Sequence, residues 1–305
     1  MWGSAVQAGR VKLLIKGGKA LFKAAAKQAA ESIAKKQLRK QAERLTMRYG
    51  KDALEKTAKF AKKSGIPEHK AWRLLTEHGD ALRLHRFSDE ALEFAAKHKG
   101  AGVFFLRNKQ LFDGLKKSVP DIAKVDRKVI EQAWRWGDDK AIGGSLKRLQ
   151  RSLTDAGMNS GTSRDFCEDL FQIKARHGKI PGIPKGSELV KGHIGDGRQG
   201  IDFLLPEKGK VRVIEFGTGK KPIDGEMSWD RIRSNMADFL EKQDTNAKIN
   251  LRGKGFSSEL VNNPARIRDP NFPIEKFVQR EVYATDLNGA ELARAGRDIT
   301  AVKLN

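Results

Sequence analysis

The sequence predicts an α+β protein: an all-helical first half, then a second half that combines helices and strands. Three observations carry this. Apolar residues recur at helical spacing through much of residues 18–155. Two short runs rich in Ile, Val, Leu and Phe, 201–205 and 211–217, enclose Pro206-Glu-Lys-Gly209, the composition of a hairpin. Between the two kinds of pattern lies Asp155-Ala-Gly-Met-Asn-Ser-Gly-Thr162, so the expected division is 1–157 and 158–305.

The elements follow in order. Residues 18–62 read as one or two basic, Ala-rich helices, with Phe22, Ala25, Ala29 and Ile33 on one face and Leu38, Ala42 and Leu45 further on. The apolar stripe is thin and the lysines dense, as in a solvated helix that packs on a neighbour or one that contacts nucleic acid. Pro67 to His78 forms the next helix and ends at Gly79. Ser88 is placed to cap a helix over Asp89 to His98, with Gly100 as terminator. Val103 to Leu115 follows, then Pro120 to Trp136, whose Ile122, Val125, Val129, Ala133 and Trp136 share a face. Leu146, Leu149 and Leu153 mark another helix, and Ser163 to Arg176 opens the second half. A Gly- and Pro-rich stretch, 179–200, leads to the hairpin. Met227 to Lys242 is helical, 246–275 has no assignable pattern, and Lys276 to Tyr283 is a further strand.

The net charge is +22. Residues 1–150 hold 34 Lys and Arg against 16 Asp and Glu, and residues 151–305 hold 26 against 22. The excess therefore sits in the first half. It calls for an anionic partner: nucleic acid, an acidic protein or an anionic membrane surface. No apolar run reaches the roughly 18 residues that a membrane span needs. The basic amino end is too broken by Lys and Gly for a secretory signal, so export would need a dedicated route or a longer chain. The single cysteine, Cys167, excludes an internal disulfide and a thiolate metal cluster.

The chemistry resides in the hairpin. Each strand carries one carboxylate, Asp202 and Glu215, among large apolar residues. A carboxylate in such surroundings is costly unless it is paired or binds a cation. The two acids meet only if residues 202 and 215 face each other, a register in which paired numbers add to 417, with a connection of about 206–211. A one-residue slip would send them to opposite faces. Two opposed carboxylates suit a hard divalent cation, with Mg²⁺ foremost and Mn²⁺ or Zn²⁺ as alternatives. Such an ion serves phosphodiester hydrolysis, and a nearby lysine would stabilise developing charge.

The run Gln199-Gly-Ile-Asp202, a turn, then Val213-Ile-Glu215 resembles the core of the PD-(D/E)XK nuclease superfamily, which has the restriction-endonuclease fold. More narrowly it resembles nuclease domains of bacterial polymorphic toxins, including contact-dependent growth-inhibition toxins. In these a helix start of the form Gln-Met-Ser…Trp…Arg follows, here Glu226-Met-Ser-Trp229-Asp-Arg231. The likeness covers roughly residues 160–285. It implies an α/β/α nuclease domain built on a mixed sheet, with Asp202, Glu215 and an upstream Glu168 as metal ligands, Asp165 and Asp169 competing for the last role. The family lysine two residues after the glutamate is replaced by Gly217; Lys220 and Lys221 stand closest, and Lys220 is the candidate. Arg198, Lys221, Arg231 and Arg233 are candidates to contact phosphate. The resemblance also implies a toxin made in one bacterium and acting in the cytoplasm of another, with a cognate immunity protein; an acidic one would fit the charge. The helical half would deliver, translocate or grip substrate. The alternative is a nucleic-acid-binding protein with a nuclease-like scaffold. DNA and RNA stay equally open as substrates.

Three further features read as ordinary. Gly217-Thr-Gly-Lys220 fails the phosphate-loop pattern, His193 is a loop histidine, and Cys167 beside Phe166 and Leu170 belongs to the core.

Overall fold

The computed structural model describes residues 36–119, 122, 125–138, 146–192, 200–218, 227–284, 287 and 299–304. The chain divides into two compact units between Ala96 and Lys97. Every regular element described before residue 190 is helical, and a sheet follows, so the protein is α+β.

The first unit contains α1 (residues 36–49), α2 (Lys51–Lys63) and α3 (Glu68–Leu84). Gly50 separates α1 from α2 at φ 86, a backbone state that glycine takes without steric cost. The thin stripe buries Leu45 of α1 and Ala53, Phe60 and Ala61 of α2, beside Ala71, Leu75 and Leu82 of α3. Next comes α4 (Asp89–Arg107), whose Ala91 amide meets the Ser88 hydroxyl at 3.4 Å, as the capping pattern anticipates. The stop expected at Gly100 is a kink: Lys99 leaves helical geometry at φ 45, ψ −121, and the helix resumes to Arg107.

The second unit continues with α5 (Lys109–Ser118), α6 (Arg127–Asp138), α7 (Leu146–Asp155) and α8 (Ser160–Arg176). The helix expected from Pro120 begins only at Arg127, because Asp126 accepts from the Lys128 amide at 2.8 Å and starts it there. The boundary expected at 157/158 falls in the turn joining α7 to α8, two helices that pack on each other.

Five strands form one sheet in chain order: β1 (Val190–Gly192), β2 (Ile201–Glu207), β3 (Lys210–Gly217), β4 (Val278–Ala284) and β5 (Ile299–Lys303). The first three pair antiparallel; β4 runs parallel to β3 and β5 parallel to β4. In the hairpin Phe203 pairs with Ile214, Leu204 with Val213, Leu205 with Arg212, Pro206 with Val211 and Glu207 with Lys210. Each pair adds to 417, the expected register. The loop is shorter than expected, Lys208-Gly209 alone. Pro206 is tolerated inside β2 because the short β1 pairs only as far as Leu204.

Between β3 and β4 the chain crosses over through α9 (Trp229–Glu241), α10 (Thr245–Gly253) and α11 (Ser258–Asn262). The last two lie in the stretch without a legible pattern; Asp244 and Ser257 cap them. One face of the sheet presents Leu204, Val211, Val213 and Val282 to Ile232, Met236 and Leu240 of α9. On the opposite face Phe171 of α8 meets Phe203, Phe216 and Tyr283, with ring centroids 5.4, 4.7 and 5.5 Å away.

A buried ion pair joins β3 to β4 on the α8 face. The Arg212 guanidinium donates to both Glu281 oxygens, at 2.6 and 2.5 Å, and to the Gly182 carbonyl at 2.9 Å. The Tyr283 hydroxyl donates to Glu281 at 3.0 Å. Burial works against the Arg212 charge, yet the Glu281 carboxylate holds its pKa above the ordinary arginine value. Removing one partner strands the other charge in the interior, which typically costs about 3–5 kcal/mol. Glu281→Ala is therefore expected to lower unfolding stability by about that much in urea titration. Joint replacement by apolar residues, Arg212→Met with Glu281→Leu, should recover most of it. A single-variant loss below about 1 kcal/mol would contradict the assignment.

His98 gives a pH signature. Burial, then the nearby Lys97 and Arg127 charges, hold its pKa down at about 4 against an ordinary 6.5. The unfolded chain thus takes up a proton that the folded chain refuses between those values. Stability should fall as pH drops from 6.5 toward 4, and His98→Gln should flatten that slope in thermal melts. An unchanged slope contradicts it.

Candidate active site

Besides Glu281, three carboxylates are buried among the described residues of the second unit, one on each of three elements: Glu168 at 0%, Asp202 at 5% and Glu215 at 2% exposure. Acidic side chains are almost never this buried without a specific partner.

Glu168 is placed by α8. Asn159 caps this helix by accepting from the Thr162 amide at 2.8 Å, and Phe166, Leu170 and Phe171 face the core. The three acids of α8 then separate by environment. Asp165 is exposed, Asp169 pairs with Lys191 at 2.7 Å, and Glu168 points inward with Arg164 3.3 Å away. Cys167 lies in the core as expected. Burial first, then the Glu168 charge, pushes its thiol up to about 12, which removes it as a nucleophile near neutral pH.

Asp202 occupies an interruption in the sheet. Lys191 pairs with Phe203 and Gly192 with Ile201, so Asp202 is the extra residue of a β-bulge against β1. Gly192 makes this close passage feasible, because a Cβ there would lie 2.7 Å from the Ile201 carbonyl oxygen. On the other side, the ladder with β3 ends at Phe203 and Ile214. The next pair in the register would be 202 with 215. In its place the Asp202 carboxylate accepts from the Phe216 N–H at 2.7 Å. That amide belongs to the peptide linking Glu215 to Phe216, so the aspartate is held against the glutamate's own backbone.

Glu215 shares the α9 face with Val211 and Val213 through strand alternation. The Phe171 cluster ties the three elements together. Its ring sits one turn along α8 from Glu168 and packs on Phe203 and Phe216, the chain neighbours of Asp202 and Glu215. The strand exit is held as well, since the Thr218 hydroxyl donates to the Gln150 side chain of α7. Neither this bond nor the Phe216 amide contact was legible in the sequence. The glycine at 192 is its only trace of the bulge.

Among the described residues no three His, Cys, Asp or Glu side chains are gathered at a spacing that would hold a metal ion. The structure thus brings Asp202 to the Glu215 backbone and places Glu168 on an adjoining element, without a three-acid cluster. Lys220, Lys221, Arg198 and His193 lie outside the described residues. Arg231 is half-buried at the start of α9. Arg233 requires a correction. It is 6% exposed, and its guanidinium donates to the carbonyls of Asp269 and Phe272 at 3.0 and 2.7 Å and pairs with Glu275 at 3.2 Å. It braces the chain before β4 and is not presented to phosphate. Arg280 supports the start of α9 by donating to the Met227 carbonyl at 2.7 Å and lying 4.0 Å from the Trp229 ring centre. No described helix is long and apolar enough to cross a membrane.

No family model, curated protein or solved structure gives a significant match to the chain.

The Asp202 contact predicts an asymmetry between two substitutions. Asp202→Ala leaves the Phe216 N–H buried without its acceptor, at a cost of about 1–3 kcal/mol. Asp202→Asn keeps an acceptor oxygen and should melt closer to the wild type. Equal losses, read by calorimetry, would show that the hydrogen bond does not hold this strand.

Proposed function

We propose that residues 158–305 form a metal-dependent nuclease domain with a restriction-endonuclease-like fold, acting as an antibacterial effector toxin. The observation that carries this reading is the buried Asp202 carboxylate bonded to the Glu215–Phe216 peptide, beside a helix that buries Glu168. The order of elements agrees with the resemblance: a helix with the upstream glutamate, the Asp strand, the Glu strand, then a helix capped by Ser228.

The donor set fits a hard cation in kind, since all three groups are carboxylates. Asp202 and Glu215 would hold Mg²⁺, with Mn²⁺ or Zn²⁺ as substitutes, and Glu168 would complete the set. When bound, the ion supplies Lewis acidity toward a phosphoryl oxygen and lowers the pKa of its water. Asp202 is oriented for this by the Phe216 amide. Lys220 stabilises charge on the substrate, and the basic surface draws in the polyanion without reading its sequence. An acidic immunity protein, export by a dedicated route and action in the target-cell cytoplasm complete the proposal.

A second reading, a nucleic-acid-binding protein on a nuclease-like scaffold, is favoured by Gly217 at the family's lysine position and by the lack of a three-acid cluster among the described residues. One assay separates them. Purified chain is incubated with plasmid DNA and with total RNA, in Mg²⁺, Mn²⁺ or Zn²⁺, beside Glu215→Ala. Cleavage by the wild type and a loss of at least about a hundredfold in the variant is expected. Binding without cleavage by either protein supports the scaffold.

A further inference from the structure

The first unit contains a basic groove that the candidate active site does not use. Lys40, Arg44 and Arg48 recur every fourth residue of α1, so they share one face at steps of about 6 Å. All three are exposed. They line a groove of about 500 Å³ that also takes in Gln41, Tyr49 and, from α3, Thr76. The groove is structurally supported. The Tyr49 ring packs on α3 so closely that a Cβ at Gly79 would lie 2.3 Å from it. The Gln41 amide donates to the Thr76 hydroxyl at 3.1 Å. Asp80 pairs with Arg48 at 2.6 Å, with both side chains about 60% exposed. An ion pair that open to water is weak and yields readily to a competing anion.

We propose that this groove binds a single-stranded polynucleotide along its phosphates. Cations one helical turn apart match the step between successive phosphates of an extended strand. The amide and hydroxyl groups add neutral donors, and Tyr49 supplies an aromatic ring beside the row of charge. A membrane surface fits less well, because an interfacial helix buries a row of large apolar side chains, whereas Met47 is the strongly exposed one on α1. The groove would serve the chain whether or not the second unit cleaves its ligand.

The test uses the full chain in EDTA, so that binding is read apart from any metal-dependent cleavage. A short fluorescein-labelled single-stranded RNA is titrated and followed by anisotropy over a series of salt concentrations. Lys40→Glu with Arg44→Glu should weaken binding more than about tenfold. Lys40→Gln with Arg44→Gln should reduce the log–log salt slope by about 1.4, two contacts at roughly 0.7 each for a single strand. Lys59→Glu with Lys62→Glu makes the same charge change on exposed positions of α2 and should cost much less. Circular dichroism melts confirm that each variant is folded. Equal weakening by the α1 and α2 variants, no weakening by either, or binding to phosphatidylserine vesicles or polyglutamate with none to RNA would overturn the proposal.

Discussion

The pairing of β2 with β3 is the constraint on which the second unit depends. Because side chains alternate, a shift of one residue would turn Leu204 and Val213 away from α9 and Phe203 and Phe216 away from α8. The two faces are packed by different elements, so such a slip would set apolar side chains against the wrong layer and turn Arg212 away from its Glu281 partner. The same register decides where the acids go. Asp202 arrives beside Glu215 because the hairpin loop has two residues, and Gly209 makes so short a loop accessible at φ 78.

Two kinds of buried charge are handled differently within this sheet. On the α8 face Arg212, Glu281 and Tyr283 satisfy one another and the Gly182 carbonyl, a closed arrangement that ties β3, β4 and the loop before β1. It reads as structural. Asp202, Glu168 and Glu215 are buried on three different elements, and the Asp202 hydrogen bond reaches the Glu215–Phe216 peptide, beside the bulge that breaks the regular ladder. Interruptions of this sort are where sheets re-aim side chains.

Much of this was legible in the sequence, and what was missed was missed for identifiable reasons. The hairpin register followed from two acids in apolar strands with a Gly-containing loop. The core face of α9 followed from Trp229, Ile232 and Met236. The same periodicity puts Arg233 on that face, beside Trp229, Met236 and Leu240, so its burial was readable and its charge misled. β1 is three residues long and β5 five, too short for alternation to stand out. α10 and α11 have nine and five residues, which give little periodicity. The Arg212–Glu281 pair spans 69 positions and depends on β3 and β4 lying parallel, which no local pattern encodes.

The central claim is that Asp202 and Glu215 share one divalent cation. Anomalous scattering from crystals of the wild-type chain soaked in Mn²⁺ tests it most directly. The account predicts a manganese peak within bonding distance of both carboxylates, absent from Glu215→Gln crystals. A peak elsewhere, or the two side chains separated with no ion between them in well-ordered density, would contradict it.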